Sequence, residues 1–324
     1  MILDRLLARP GERILATALA CACLIVAVVA PLRGAPIDIP GYRMQAYVVA
    51  VLALVGIVYR LTGRDERIAS GMLSIALLLL FTSALATYNY LLLPNFGFPL
   101  DPWLARFDAL IGYRWSDWVE WSAGVPHLAR LLGWIYASTL MQIAVLIVVL
   151  TGLRRWNTLD RMQVTLVFAS VATVAFWGLF PSISISAFQA ISPEAARIVA
   201  PAVGMEAGAE LLHLVRHGPD RIAPGAMTGL IGFPSFHTVL ALLCVRFAWE
   251  APILRYPYLA INLAMAPAIL LHGSHYMLDL AGGALFFWGA QALATRVVAA
   301  LDRPARVEAG IRAGAGSRAA AARP

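Results

Sequence analysis

The sequence predicts an all-α fold: a polytopic bundle of about eight membrane-spanning helices with interfacial helices on its outer side. Three observations lead there. Of 324 residues, 60% are hydrophobic and only 13% are charged, whereas soluble domains carry about 25% charged residues. The apolar residues fall in runs near the length that crosses a hydrocarbon core, about 20 residues. The arginines alternate between many and few in successive connections, as orientation by the positive-inside rule requires.

The runs lie at about 13–32, 45–62, 70–93, 132–152, 162–181, 235–250, 256–272 and 276–300. Backbone groups in lipid must be satisfied within the segment or a closed barrel, and no ten-residue alternation of a barrel is visible. The runs are therefore read as helices. The first is too long for a removable signal and lacks a small-residue cleavage site, so it is read as retained.

Every basic side chain is Arg. Arg5, Arg9, Arg13, Arg60, Arg64, Arg67, Arg154, Arg155, Arg161, Arg246, Arg255 and the C-terminal arginines share one side of the eight-helix topology. That side is assigned to the cytoplasm. The net charge of +7 is then a matter of topology and contact with anionic lipid. It gives no sign of a nucleic acid partner, because no basic stripe is interleaved with aromatics. Cys21, Cys23 and Cys244 sit inside apolar runs and are read as packing residues.

Three segments follow: 1–160, N-terminal membrane helices with an aromatic loop; 161–300, the catalytic membrane core; and 301–324, a disordered Ala/Gly/Arg tail. The loop at 94–131 holds Trp103, Phe107 and Leu110 at helical spacing, with Tyr113, Trp115, Trp118 and Trp121. It is expected to form one or two helices at the headgroup level. The loop at 182–233 lies on the same outer side. Within it, Ser192 and Pro193 make a helix start at PEAARIV.

The chemistry concentrates late in the chain. Gly232-Phe233-Pro234-Ser235-Phe236-His237-Thr238 opens one apolar run, and a helix start there presents free N–H groups to an anion. His272-Gly273-Ser274-His275-Tyr276-Met277-Leu278-Asp279 opens another. His275 and Asp279 share a helix face four residues apart. The carboxylate can hold one imidazole nitrogen and leave the other free to attack or take a proton. The two helices start on one side of the membrane, so His237 and His275 can meet. Ionisable groups there are functional hypotheses by default.

These residues carry a resemblance. Pro234-Ser235-Phe236-His237-Thr238, and His275-Tyr276-Met277-Leu278-Asp279 followed by Gly282, resemble the paired motifs of the type 2 phosphatidic acid phosphatase superfamily. The His-Tyr form is most similar to the inositolphosphotransferase branch, which contains fungal inositol phosphorylceramide synthase. The strong match covers about 210–290, and the earlier helices resemble that branch only in layout and in the loop around FDALIGYRW. The resemblance implies catalysis by His275 as nucleophile, His237 as proton donor and Asp279 as orienting carboxylate. It implies no metal, no cofactor and a phospholipid or sphingolipid substrate in the bilayer. The arginine asymmetry places the site on the non-cytoplasmic face of the membrane, expected to be a bacterial inner membrane.

The sequence departs from the superfamily's phosphatases in two ways. Their first motif, Lys followed by Arg-Pro, is absent, and their Arg six residues before the nucleophilic His is Ile269 here. A buried dianion needs partners. Arg216 is the first candidate, Arg221 the second, with Ser235, His272 and the helix-start N–H groups as further phosphate ligands. Other readings remain: a zinc site from His237, His272, His275 and Asp279, a Ser235 hydrolase, although no Gly-x-Ser-x-Gly surrounds it, and a transporter or inactive scaffold.

Overall fold

In the apolar runs, the only hydrogen-bonding solution available within one segment is the helix, and helices dominate the result. The computed structural model describes residues 5–227 and 229–321. Among the described residues are thirteen α-helices and no strand. They are α1 (Pro10–Arg33), α2 (Arg43–Thr62), α3 (Glu66–Leu91), α4 (Asp101–Ile111), α5 (Trp115–Ala123), α6 (Pro126–Ala137), α7 (Thr139–Gly152), α8 (Trp156–Leu179), α9 (Pro193–Val199), α10 (Met205–His217), α11 (Phe236–Ala248), α12 (Arg255–His272) and α13 (Met277–Ala321). Left-handed Gly34 and Gly63 (φ 61° and 64°) end α1 and α2.

Of the eight expected spans, a smaller set meets the length and hydropathy of a crossing among the described residues. Five helices are long and apolar enough to cross a membrane: α1, α2 with its preceding turn, α3, α8 and α13. A sixth would be α6 and α7 taken together. They were expected as one run, yet the chain bends by 50° between them. Helix α11 has 13 residues, about 20 Å at 1.5 Å per residue, against a core of about 30 Å. Its Val239, Leu243, Cys244 and Phe247 are wholly buried against neighbouring helices. An apolar run facing protein reads like one facing lipid, which explains the difference. Helix α12 carries Arg255, Tyr256, Tyr258, Asn262 and His272 and falls outside the spanning set. Two polar contacts latch it to α7: Tyr258 Oη donates to Gln142 O (2.7 Å), and Asn262 Nδ2 to Gln142 Oε1 (2.7 Å).

The arginine-rich end is tied by ion pairs. Arg60 joins Glu12 (2.8 Å), which is fully buried, and Glu66 (3.1 Å). Arg9 joins Asp160 (2.6 Å), and Arg161 joins Glu250 (2.8 Å). These contacts clamp α1, α2, α3, α8 and the α11 terminus at one end, the end assigned to the cytoplasm from the sequence. Helix α13 runs on to Ala321, through the segment expected to be disordered; Ala and Arg are strong helix formers.

At the opposite end, 94–131 forms the expected short helices, α4 and α5, and Ser192 caps α9 by accepting from Ala195 N (3.1 Å). Trp103 and Trp121 point outward and Trp115 is fully buried. The segment thus has an inner face as well as an aromatic outer one.

Candidate active site

Helices α11 and α13 begin beside each other because small residues let them approach. A Cβ on Gly283 would lie 2.4 Å from Ser235 O, and one on Gly282 would lie 2.5 Å from the Phe233 ring. Ser235 N donates to Asp279 O (3.0 Å), joining the two helix starts. Ser235 Oγ accepts from Thr238 N (3.4 Å) as the α11 cap. The side chain is fully buried in that task, so the serine expected to touch phosphate serves the backbone.

His275 stands at the start of α13. Its Nδ1 donates to Asp279 Oδ2 (2.8 Å), which also accepts from Tyr276 N (2.9 Å). The Tyr276 N–H holds the carboxylate and the carboxylate holds the ring, and no described residue bonds its Nε2. The preceding Ser274 has a positive φ of 52°, a left-handed conformation that costs a non-glycine residue about 1–3 kcal/mol. The turn is held there from outside. Ser274 Oγ donates to Val203 O, Ser274 O accepts from Ile185 N (3.2 Å) and Ser184 Oγ (3.0 Å), and His272 O accepts from Val203 N (2.9 Å).

His237, the second residue of α11, stacks on Tyr136 of α6 with ring centroids 4.0 Å apart. No described residue hydrogen-bonds its imidazole. Both histidines line a cavity of about 430 Å³ together with Tyr136, Asn89, Ser170 and Thr173. The rest of the wall is mostly apolar. The two helix-start N–H groups of Phe236 and His237 precede any intrahelical acceptor, and both residues line the cavity.

The structure therefore brings together His237, His275 and Asp279, but not the other candidates. His272 is buried and turned to α6, where its Nε2 donates to Ala129 O (2.8 Å). Among the described residues, no three His, Cys, Asp or Glu side chains are grouped as a metal site. Arg221 pairs with Asp38 (2.5 Å). Arg216, exposed on the last turn of α10, lines a neighbouring groove with Asn95, Phe188 and Tyr276. Ile269 is buried in an apolar cluster with Met265 and Leu132. No Arg lines the histidine cavity among the described residues.

Two sets of polar residues escaped the sequence reading. Asn89, Ser170 and Thr173 are polar residues inside apolar runs, a signal that was available. Asp101 and Asp108 of α4 lie behind the His275–Asp279 turn. Asp108 Oδ1 accepts from Met277 N (3.2 Å), Asp101 accepts from Ile183 N (3.1 Å), and Tyr276 Oη donates to Asp101 Oδ1 (3.4 Å). Asp108 Oδ2 and Asp279 Oδ1 are buried without a partner. Burial pushes both α4 carboxyls up to about 6, the negative charge of Asp279 adds to the rise, and the backbone N–H bonds oppose it.

A family model described as the PAP2 superfamily matches residues 102–293. The chain belongs to the PAP2 superfamily. The matched stretch takes in α4 through most of the spanning part of α13, and with them His237, His275, Asp279 and Asp108. Enzymes of the PAP2 superfamily are generally of phosphatase type, so membership suggests phosphatase or phosphotransferase activity on phosphate esters. No curated protein matches the chain, and no solved structure does.

Proposed function

We propose that this PAP2 protein is a membrane-embedded phosphotransferase or phosphatase that cleaves lipid phosphoesters through a phosphohistidine on His275. The observation that carries this reading is the pairing of an Asp-held imidazole, whose Nε2 is unbonded, with a second unbonded imidazole on the same cavity. His275 Nε2 attacks phosphorus as the bond to the leaving oxygen breaks, and protonated His237 gives that oxygen its proton. Asp279 keeps Nδ1 protonated and balances the positive ring. In the second half, an acceptor O–H loses its proton to His237. Its oxygen then takes the phosphoryl group and the N–P bond breaks. Water as acceptor makes the protein a phosphatase, and an alcohol makes it a phosphotransferase.

The charge of the cavity favours a phosphodiester. A monoester dianion buried with no arginine beside it is costly, whereas a singly charged diester can be met by the α11 N–H groups, and its own charge favours the protonated form of His237. This agrees with the His-Tyr motif form of the inositolphosphotransferase branch. The arginine asymmetry supports a site on the outer face of a bacterial inner membrane.

The test is rapid quench with a radiolabelled phosphoester, followed by acid treatment of the labelled protein. His275→Ala is expected to be inactive and unlabelled. His237→Ala is expected to accumulate acid-labile label, and to retain activity better on an aryl ester, whose leaving group needs a proton less. Label that persists in His275→Ala and vanishes in His237→Ala would reverse the two roles.

A further inference from the structure

One wall of the histidine cavity is built from α3 and α8, and three of its polar side-chain atoms have no hydrogen-bond partner. Asn89 Oδ1, Ser170 Oγ and Thr173 Oγ1 are buried without a hydrogen-bond partner. The residues are 7%, 3% and 1% exposed, and all three line the cavity. Hydroxyls in membrane helices ordinarily fold back onto the preceding turn. Other hydroxyls on the same helices do so: Thr82 Oγ1, on the cavity itself, donates to Leu78 O (3.0 Å), and Thr165 Oγ1 to Arg161 O (2.7 Å). Ser170 and Thr173 do not. Unmade bonds of this kind carry the full desolvation penalty, so a ligand that completes them is favoured.

The chemistry of that ligand follows from the groups. No arginine stands in the described lining, so the wall suits an uncharged moiety. Asn89 Oδ1 is an acceptor and needs a donor, while the two hydroxyls can give or take. A hydroxyl or an amide N–H meets these demands. Asn89 lies near the outer end of α3, and Ser170 lies about 13 Å below the outer end of α8 at 1.5 Å per residue. The wall therefore descends from the histidine level to the depth where a lipid's headgroup gives way to its chains.

We propose that Asn89, Ser170 and Thr173 form a neutral hydrogen-bonding subsite for a hydroxyl or amide group in the linkage region of a lipid substrate or acceptor. The proposal rests on the phosphoester reading of the histidine pair.

The test uses two phosphodiester lipids identical but for one group, a free hydroxyl beside the chains in one and its methyl ether in the other. The full-length protein in lipid micelles is expected to prefer the hydroxyl form by about three- to tenfold in KM, the size of one neutral hydrogen bond. The Asn89→Leu/Ser170→Ala/Thr173→Val variant is expected to lose that preference. A preference that survives in this variant, or turnover by the unaltered protein without a preference, overturns the subsite. Binding of the same pair to His275→Ala protein reads the subsite without turnover. A binding preference there, with no turnover by the unaltered protein, rejects the phosphohistidine reading and keeps the subsite. Turnover without a binding preference does the reverse.

Discussion

Replacing Asp108 by alanine removes the acceptor of Met277 N, a 3.2 Å bond at the first turn of α13, two residues after His275. Loss of a side-chain cap costs about 0.5–2 kcal/mol, and here it falls on a turn already held in a left-handed conformation at Ser274. A nucleophile displaced by 1 Å can lose about a hundredfold in rate. Asp108 does not line the histidine cavity, so its loss acts on position rather than on substrate contact. The expected result for Asp108→Ala is a kcat about ten- to a hundredfold lower with KM within about threefold. Asp108→Asn keeps a carbonyl oxygen where Oδ1 stands and is expected to recover kcat to within about threefold of the unaltered protein. The assay is turnover of bis(4-nitrophenyl) phosphate by detergent-purified protein, corrected for folded fraction by thermal melting. A normal kcat in Asp108→Ala, or an Asn variant no better than the Ala variant, refutes the positioning argument.

Asp101 and Asp108 sit at about 6 in the fold, against about 4 for an unfolded carboxyl. The folded state then holds more protons between these values, so stability falls as pH rises from about 4 to about 6 and stays lower above. Melting temperature across that window is expected to drop less in Asp108→Asn than in the unaltered protein; an identical drop would remove Asp108 as the cause. Arg216→Ala is expected to change kcat/KM by less than about threefold, as for other exposed charges, since Arg216 faces the neighbouring groove; a loss beyond tenfold would bring it into the site. Reporter fusions at residue 220 are expected to report the outside, and activity of a cytoplasm-only reporter there would invert the topology.

The His275–Asp279 pairing could be read from sequence because its pieces are local. His275 and Asp279 meet within one helical turn, and the Ser192–Pro193 helix start is likewise a matter of neighbours. Spacing alone set both. Which residues face the histidine cavity depends on distance through space. Arg216 and Arg221 are close in sequence to α11, yet one faces another groove and the other reaches Asp38. His272, three residues from His275, turns its ring to Ala129 on α6.

Composition and helical periodicity determined that this chain is an all-helical membrane protein, because both report the solvent that surrounds each segment. They could not tell lipid from protein as that solvent. Helix α11 therefore read as a span although its apolar side chains are buried against other helices. Packing between distant segments decided the rest. It set Asp108 of α4 behind His275, it placed Tyr136 of α6 on His237, and it turned Asn89 of α3 and Thr173 of α8 toward one cavity. Such meetings arise from the complementarity of whole helix faces, which no local spacing encodes.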